Sequence, residues 1–572
     1  SGLDIWEYPH PILHAPLQAA LGNSSTPPRA RARWVASIGV PQQACPSMTD
    51  LRLMYGATSA AETLLREPPA KSAAQTVAPY FAEFMGTFVV VFAVGCTQLS
   101  PGNNTLHNMV VGFTLMVMIY GTAPISGGHL NPAVSLALTF IGALRWPILL
   151  GYWAVQVAGG LMAGLCFYAL FPREVPRTDP NQPYPWDRAS FSEDAEWGYP
   201  WECAVFSEVL YTAVLCFVFC SCSASKRNNP KEDANQFFPL AVGFAVMAAG
   251  HGGSVSGDAR LNPMLSLALD VAQMSYSGLI NTALSFAYGI LGSAVGAALF
   301  RATRPEDFGL QEDLSEYRPS MVVRGLAEFL GVFVIMFTEG LVLISKSNVV
   351  AAWALEAALT CMTYSLYDVS GAHFNPAVTL AVVLSGRDRC SPSTGLVYVI
   401  VQLSAASVAG VVAAQFQGAE PAQNAPFRLG PGTGYGQISA GMAELAFSLL
   451  LCYTVLSCAI MDSSASGRTK QNSNPFFGMA IGVSMFAGSI AASGLSGGVV
   501  NPAISVGRTV AGGATTALAH RVHLEDPPSQ YAGALLECFY YFAWELGGGL
   551  LAAGLFRLTH AGEFEKTPLL RK

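Results

Sequence analysis

Four times in this chain a long apolar run halts at an Asn-Pro pair: Asn131-Pro132-Ala133, Asn262-Pro263-Met264, Asn375-Pro376-Ala377 and Asn501-Pro502-Ala503. The first stands in ISGGHLNPAVSL, whose glycines and proline would break any helix that ran through them. Proline in the first turn of a helix sacrifices no intrahelical bond, and asparagine before it is a good N-cap, so each pair reads as the start of a helix. The apolar stretch after the first pair, AVSLALTFIG, is only about ten residues, or ~15 Å at 1.5 Å per residue. Half the ~30 Å of a bilayer's hydrocarbon is all that it can cross. A helix that stops at mid-membrane is tolerable only where its exposed end is buried in protein or lines a watery cavity. Two such half-helices entering from opposite faces would meet tip to tip, with positive dipole ends and asparagine amides turned to one lumen.

The surrounding sequence supplies the membrane setting. Of 572 residues, 52% are hydrophobic and 12% charged, far more apolar than a soluble domain. Apolar runs of roughly 17 to 25 residues recur, and twelve are counted as transmembrane helices. The net charge of -7 forms no basic stripe, so no nucleic-acid partner is implied. The twelve cysteines are scattered, some inside apolar runs such as Cys216 and Cys220, without metal-ligand spacing. Residues 1–76 carry Pro, Ala and Arg clusters and no spanning run, and are read as an extramembrane extension. Arg29, Arg31 and Arg33 would suit a neighbouring organelle-targeting segment, whereas Asp4 and Glu7 argue against one.

The chain is also written twice. AEFMGTFVVVF at 82–92 returns as AEFLGVFVIMF at 327–337, and FFPLAVGFAV at 237–246 as FFGMAIGVSM at 476–485. Two units follow, at 77–303 and 321–560, with a polar linker at 304–320 and a tail at 561–572. Each unit splits again into halves that open with a helix entered at Glu83, Glu208, Glu328 or Glu444 and later reach an Asn-Pro loop. Three spans per half invert the second half, and six spans per unit leave the two units parallel. The basic clusters at 225–231 and 467–470 place the loops after the fourth and tenth spans on the cytoplasmic, stromal or matrix side.

These motifs resemble the aquaporin (major intrinsic protein) family over about 77–560, as two complete tandem units. The resemblance implies an all-α polytopic membrane protein, with six transmembrane helices and two re-entrant half-helices per unit. It implies a channel for water and small uncharged solutes such as glycerol, ammonia or peroxide, no enzyme activity, and no cofactor or metal. It assigns Glu83, Glu208, Glu328, Glu444, His129 and His373 to bracing the Asn-Pro loops. Family members are typically tetramers of one-unit chains, so two copies of this chain would make a pseudo-tetramer in the lipid bilayer, unless it docks in a larger membrane complex. Which membrane, organellar or other, stays open.

Family spacing puts the outer filter at Val111, Gly250, Ala259 and Leu265 in unit 1, and at Leu355, Ser489, Gly498 and Ile504 in unit 2. Neither set has the family's arginine or aromatic ring, although a register shift of one would bring in His251. Arg260 either swings into the lumen or pairs with Asp258 at the loop surface, and the second is the expectation. Asp368 and Arg508 are expected to be surface or loop partners. No intramembrane charge pair beyond the entry glutamates is apparent, which disfavours a coupled transporter. Unit 2, with Ser489 and an undistorted SGGVVNPA second loop, is expected to conduct more than unit 1. The alternative to a channel is a poorly conducting structural subunit of a larger assembly.

Overall fold

The computed structural model describes residues 72–99, 106–171, 201–229, 235–254, 260–273, 278–309, 317–344, 348–417, 426–460, 475–520 and 529–561. Most of the N-terminal extension, the middle of the linker, the C-terminal tail and the basic cluster at 467–470 lie outside the described residues, as do Asp258 and Ala259.

Unit 1 runs through α1 (Ala73–Leu99), α2 (His107–Ser126), α3 (Pro132–Phe140), α4 (Trp146–Leu170), α5 (Trp201–Phe219), α6 (Phe238–Gly253), α7 (Pro263–Gln273) and α8 (Gly278–Thr303). Unit 2 repeats the order with α9 (Met321–Ile344), α10 (Asn348–Ser370), α11 (Pro376–Leu384), α12 (Pro392–Ala414), α13 (Gln437–Val455), α14 (Phe477–Ala492), α15 (Pro502–His520) and α16 (Ser529–Thr559). Among the described residues, eight helices are long and apolar enough to cross a bilayer individually. α6 and α14, at 16 residues each, fall short of the ~20 that a full span takes. The fold is all-α and membrane-integral. One expectation needs correcting: α15 is 19 residues long, about twice α3 or α11 at 9 each, so its helix runs on well beyond a half-span.

Every Asn-Pro pair starts a helix by the same local chemistry. Asn131 and Asn375 hold extended backbone, and their side-chain oxygens accept from Ala133 N at 2.9 Å and Ala377 N at 2.8 Å. Asn262 and Asn501 accept in the same way from Met264 N and Ala503 N, each at 3.0 Å. The helices that start at Asn262 and Asn501 lie close against spanning ones because glycine removes the side chain at the crossing. A β-carbon on Gly164 would stand 2.6 Å from Ala268 O, and one on Gly410 would stand 2.3 Å from Gly507 O.

The two units pack through α5 and α6 of the first and α9 and α10 of the second. Phe237 stacks on Tyr364 at 4.5 Å between ring centres, Phe206 meets Phe337 edge-on, and Tyr211 Oη lies 3.1 Å from Thr338 Oγ1. At the end of α8, the fully buried Arg304 forks onto Asp368 of α10 at 2.5 and 2.7 Å, and donates also to Ser225 Oγ and Ser365 O. Asp368, expected to be a surface or loop partner, is one half of the clasp between the units. Planar two-point pairing of this kind suits guanidinium and carboxylate geometry.

Candidate functional site

Just before each capping asparagine the backbone turns left-handed at a residue with a side chain: Leu130, Leu261, Phe374 and Val500, with φ between 51° and 56°. Such strain costs on the order of 1–3 kcal/mol per residue and persists only where surroundings over-determine it. A buried carboxylate does this in all four loops. Glu83 accepts from His129 N at 2.9 Å and Leu130 N at 2.7 Å, and also from Ser126 Oγ and Gln156 Nε2. Glu328 does the same with His373 N, Phe374 N, Ser370 Oγ and Gln402 Nε2. Glu208 accepts from Arg260 N and Leu261 N, and Glu444 from Val499 N, Val500 N and Ser496 Oγ. Each glutamate fixes the two amides that precede an asparagine.

With the loops so held, the half-helix tips meet in pairs. Asn131 Nδ2 donates to Leu261 O at 2.8 Å, and Asn262 Nδ2 returns a bond to Leu130 O at 3.0 Å. Unit 2 repeats the exchange between Asn375 and Val500 O, and between Asn501 and Phe374 O, at 3.0 and 3.1 Å. A carboxamide has two N–H donors, so each asparagine that makes one cross-link keeps a second hydrogen. His129 Nδ1 lies 3.1 Å from Ser135 Oγ and His373 Nδ1 3.2 Å from Thr379 Oγ1, each ring edge-on to Tyr152 or Tyr398.

Reading the sequence missed the outer brace. Tyr152 and Tyr398 donate to Ser126 O and Ser370 O, and Gln156 and Gln402 bridge the glutamate to Ser135 or Thr379. Their signal was present as a Tyr and a Gln four residues apart at the same place in each unit, GYWAVQ and VYVIVQ.

The cavities beside the two asparagine pairs differ. Unit 1 holds a cavity of about 60 Å³ lined by Asn131, Asn262, Val111, Gly250 and Leu265, with polar additions from Gln98, His107, Asn108 and Arg260. Gly250 itself lines this cavity, and His251 behind it reaches Asn108, which also lines it, Nδ1 to Nδ2 at 3.1 Å. Arg260 is buried, lines the cavity and donates to Ser266 Oγ at 3.2 Å. Its burial corrects the surface part of the expectation, since Glu208 holds its backbone amide inward, while the pairing with Asp258 falls on a residue outside the described ones.

Around Asn375 and Asn501 in unit 2 the cavity is only about 10 Å³, lined by Leu355, Leu359, Ile335 and Met485 among others. Ser489 spends its hydroxyl on Gly498 O at 2.9 Å, and Ile504 is fully buried. Arg508 is 6% exposed, so the surface half of its expectation fails, while its Nη2 donates to Arg428 O in the segment before α13, as a loop partner would. A further expectation fails outright: Arg508 Nη1 lies 3.7 Å from Glu339 Oε1 of α9, so the spans do hold a buried charge pair beyond the entry glutamates. The pairing escaped notice because the two residues lie far apart in sequence, in segments whose packing is tertiary.

This arrangement of inverted halves, with paired Asn-Pro half-helix tips braced by buried glutamates, defines a membrane channel fold. Comparison with known proteins agrees: the chain matches the Major intrinsic protein family model over residues 70–308 and again over 315–541. It belongs to that family, whose members are membrane channels for water or small solutes rather than enzymes. It is 33% identical over 217 residues to glycerol uptake facilitator protein-like 6 of Lactiplantibacillus plantarum, covering 37% of this chain and 94% of that protein. It is 28% identical over 228 residues to aquaporin Z of Photorhabdus laumondii, covering 38% and 94%, and 31% identical over 194 residues to mouse aquaporin-8, covering 33% and 69%. Each of these alignments spans well under half of the chain.

Proposed function

We propose that the chain passes water and small uncharged solutes, glycerol-sized polyols among them, through unit 1, while unit 2 keeps the same fold with its lumen closed. The observation that carries this is the difference in cavity volume, about 60 against 10 Å³. At ~10–15 Å³ per water position, the first accommodates a short file of waters and the second at most one. This reverses the expectation that unit 2 conducts more, because Ser489, the polar residue behind that expectation, is consumed by the Gly498 carbonyl. In unit 1 the Asn131 and Asn262 amides and the half-helix ends supply donors and positive potential at mid-membrane, which disfavours cations. Arg260, Asn108 and His107 supply polar partners that the apolar Val111 and Leu265 cannot. Swelling of vesicles holding the purified chain tests this with matched plugs. Val111→Trp should abolish water and glycerol flux and Leu355→Trp should leave it unchanged; the opposite pattern refutes the assignment.

The structural-subunit reading applies to unit 2 alone, where the small lumen favours it. A two-chain pseudo-tetramer is supported by the faces left open. α1 and α2 of unit 1 expose Phe81, Phe113 and Val117, and α13 and α14 of unit 2 expose Ile438, Met442 and Val483. By the repeat these faces correspond to those already joined inside the chain.

A further inference from the structure

The Glu339–Arg508 pair is a feature that the channel reading does not use. Aligning the units through Glu83 and Glu328 puts Glu339 where unit 1 has Val94, and aligning Asn262 with Asn501 puts Arg508 where unit 1 has Leu269. Val94 lines the open cavity of unit 1. In unit 2, Ile335 lines the small cavity, and Glu339 follows it one helical turn further along the same face of α9. Arg508 stands one turn beyond Ile504 along α15, on the same side of that helix. Its Nη2 donates to Arg428 O at 3.3 Å, and a β-carbon on Gly497, in the loop leading to Asn501, would lie 3.7 Å from its Nη1. The guanidinium therefore bridges three elements: α9, the segment before α13, and the loop before Asn501.

Fold stability does not explain the pair. Replacing a buried ion pair by well-packed apolar residues is commonly neutral or stabilising, and unit 1 keeps the same fold with Val94 and Leu269 buried at these positions. The contact is also loosely made. At 3.7 Å it is beyond hydrogen-bonding distance, and Glu339 Oε2 and Arg508 Nε are buried without a hydrogen-bond partner. Two charges that only partly satisfy one another, with Glu339 one helical turn from the cavity-lining Ile335, form a contact that water or a polar solute can compete for.

We infer that Glu339 and Arg508 form a lock across the end of the unit 2 lumen away from the Asn375–Asn501 contact, and that this lock sets unit 2 apart from unit 1. The inference rests on the reading of both lumens as solute paths. Its test is a gain of function. In full-length protein whose unit 1 is plugged by Val111→Trp, the added pair Glu339→Val and Arg508→Leu restores the unit 1 residues, and vesicle water permeability should rise severalfold over the plugged parent. The charge-reversed pair Glu339→Arg and Arg508→Glu should stay at the parent level. No rise from the apolar pair, with helical content and melting of the parent, overturns the lock. If the apolar pair fails to fold, Glu339→Gln keeps the volume and removes the attraction. It should give a smaller rise, and its absence in folded protein overturns the lock. If Val111→Trp alone leaves flux intact, the unit 1 assignment fails instead, while the lock is still judged by each variant against its own parent.

Discussion

Changing Glu83 to glutamine or alanine separates bracing of the loop from conduction through it. Glu83 receives four hydrogen bonds, two from backbone amides. In Glu83→Gln the new carbonyl can keep Leu130 N and Gln156 Nε2, while the new NH₂ faces Ser126 Oγ and His129 N. The serine hydroxyl can rotate to accept, but the His129 amide is orphaned, at ~1–3 kcal/mol. Glu83→Ala orphans both backbone amides, on the order of 2–6 kcal/mol, and also releases the restraint on left-handed Leu130. Equilibrium unfolding in mixed micelles should rank wild type above Glu83→Gln above Glu83→Ala. Glu328 has the matching four partners, so Glu328→Gln should cost a similar ~1–3 kcal/mol. Vesicle swelling should then separate them, with Glu83→Gln lowering water flux and Glu328→Gln leaving it near wild type. Stability of Glu83→Ala within ~0.5 kcal/mol of wild type, inside the usual range of an inconsequential surface change, refutes the bracing argument. Equal flux losses from the two glutamine variants refute the assignment of conduction to unit 1.

Arg304→Met removes one partner of a buried, forked pair and should cost up to ~3–5 kcal/mol, read as easier separation of the two halves after proteolytic nicking at 310–316. Adding Asp368→Asn should recover part of the loss, since the stranded carboxylate is then neutral. At the same joint, burial pushes the Asp307 carboxyl up to about 6, with Arg304 opposing. Its folded-state value exceeds the unfolded one (~3.9), so folded protein binds the proton more tightly and stability falls as pH rises from about 4 to about 6. The clasp should therefore resist unfolding better at acidic pH than at neutral pH, and Asp307→Asn should flatten that slope. Chemical crosslinking in native membranes should stop at the mass of two chains, and a ladder reaching four contradicts the pseudo-tetramer.

The loop interactions were the most legible part because they depend on short stretches of chain. A proline that costs nothing at a helix start, an asparagine that caps it and a short apolar run to follow are local chemistry, and repetition multiplied the signal fourfold. The entry glutamates stood out because a carboxylate inside an apolar run demands partners. Gln156 and Tyr152 were harder to read, since a Gln or Tyr in a span carries no such demand until the units are laid side by side.

Sequence alone thus determined the two units, the inverted halves and the four asparagine-capped helix starts, though not the length of α15, since each follows from hydropathy, repetition or the dihedral limits of a few adjacent residues. Tertiary structure decided how much space each unit keeps beside its asparagine pair. Val111 and Leu355 read alike as apolar filter residues, and only packing distinguishes a cavity of about 60 Å³ from one of about 10 Å³. It also decided that Arg260 turns inward, that Arg304 finds Asp368 across the unit boundary, and that Arg508 finds Glu339. A charged side chain's partner is whatever the fold brings within a few ångströms, and in these two pairs that partner lies in a different helix, far along the chain.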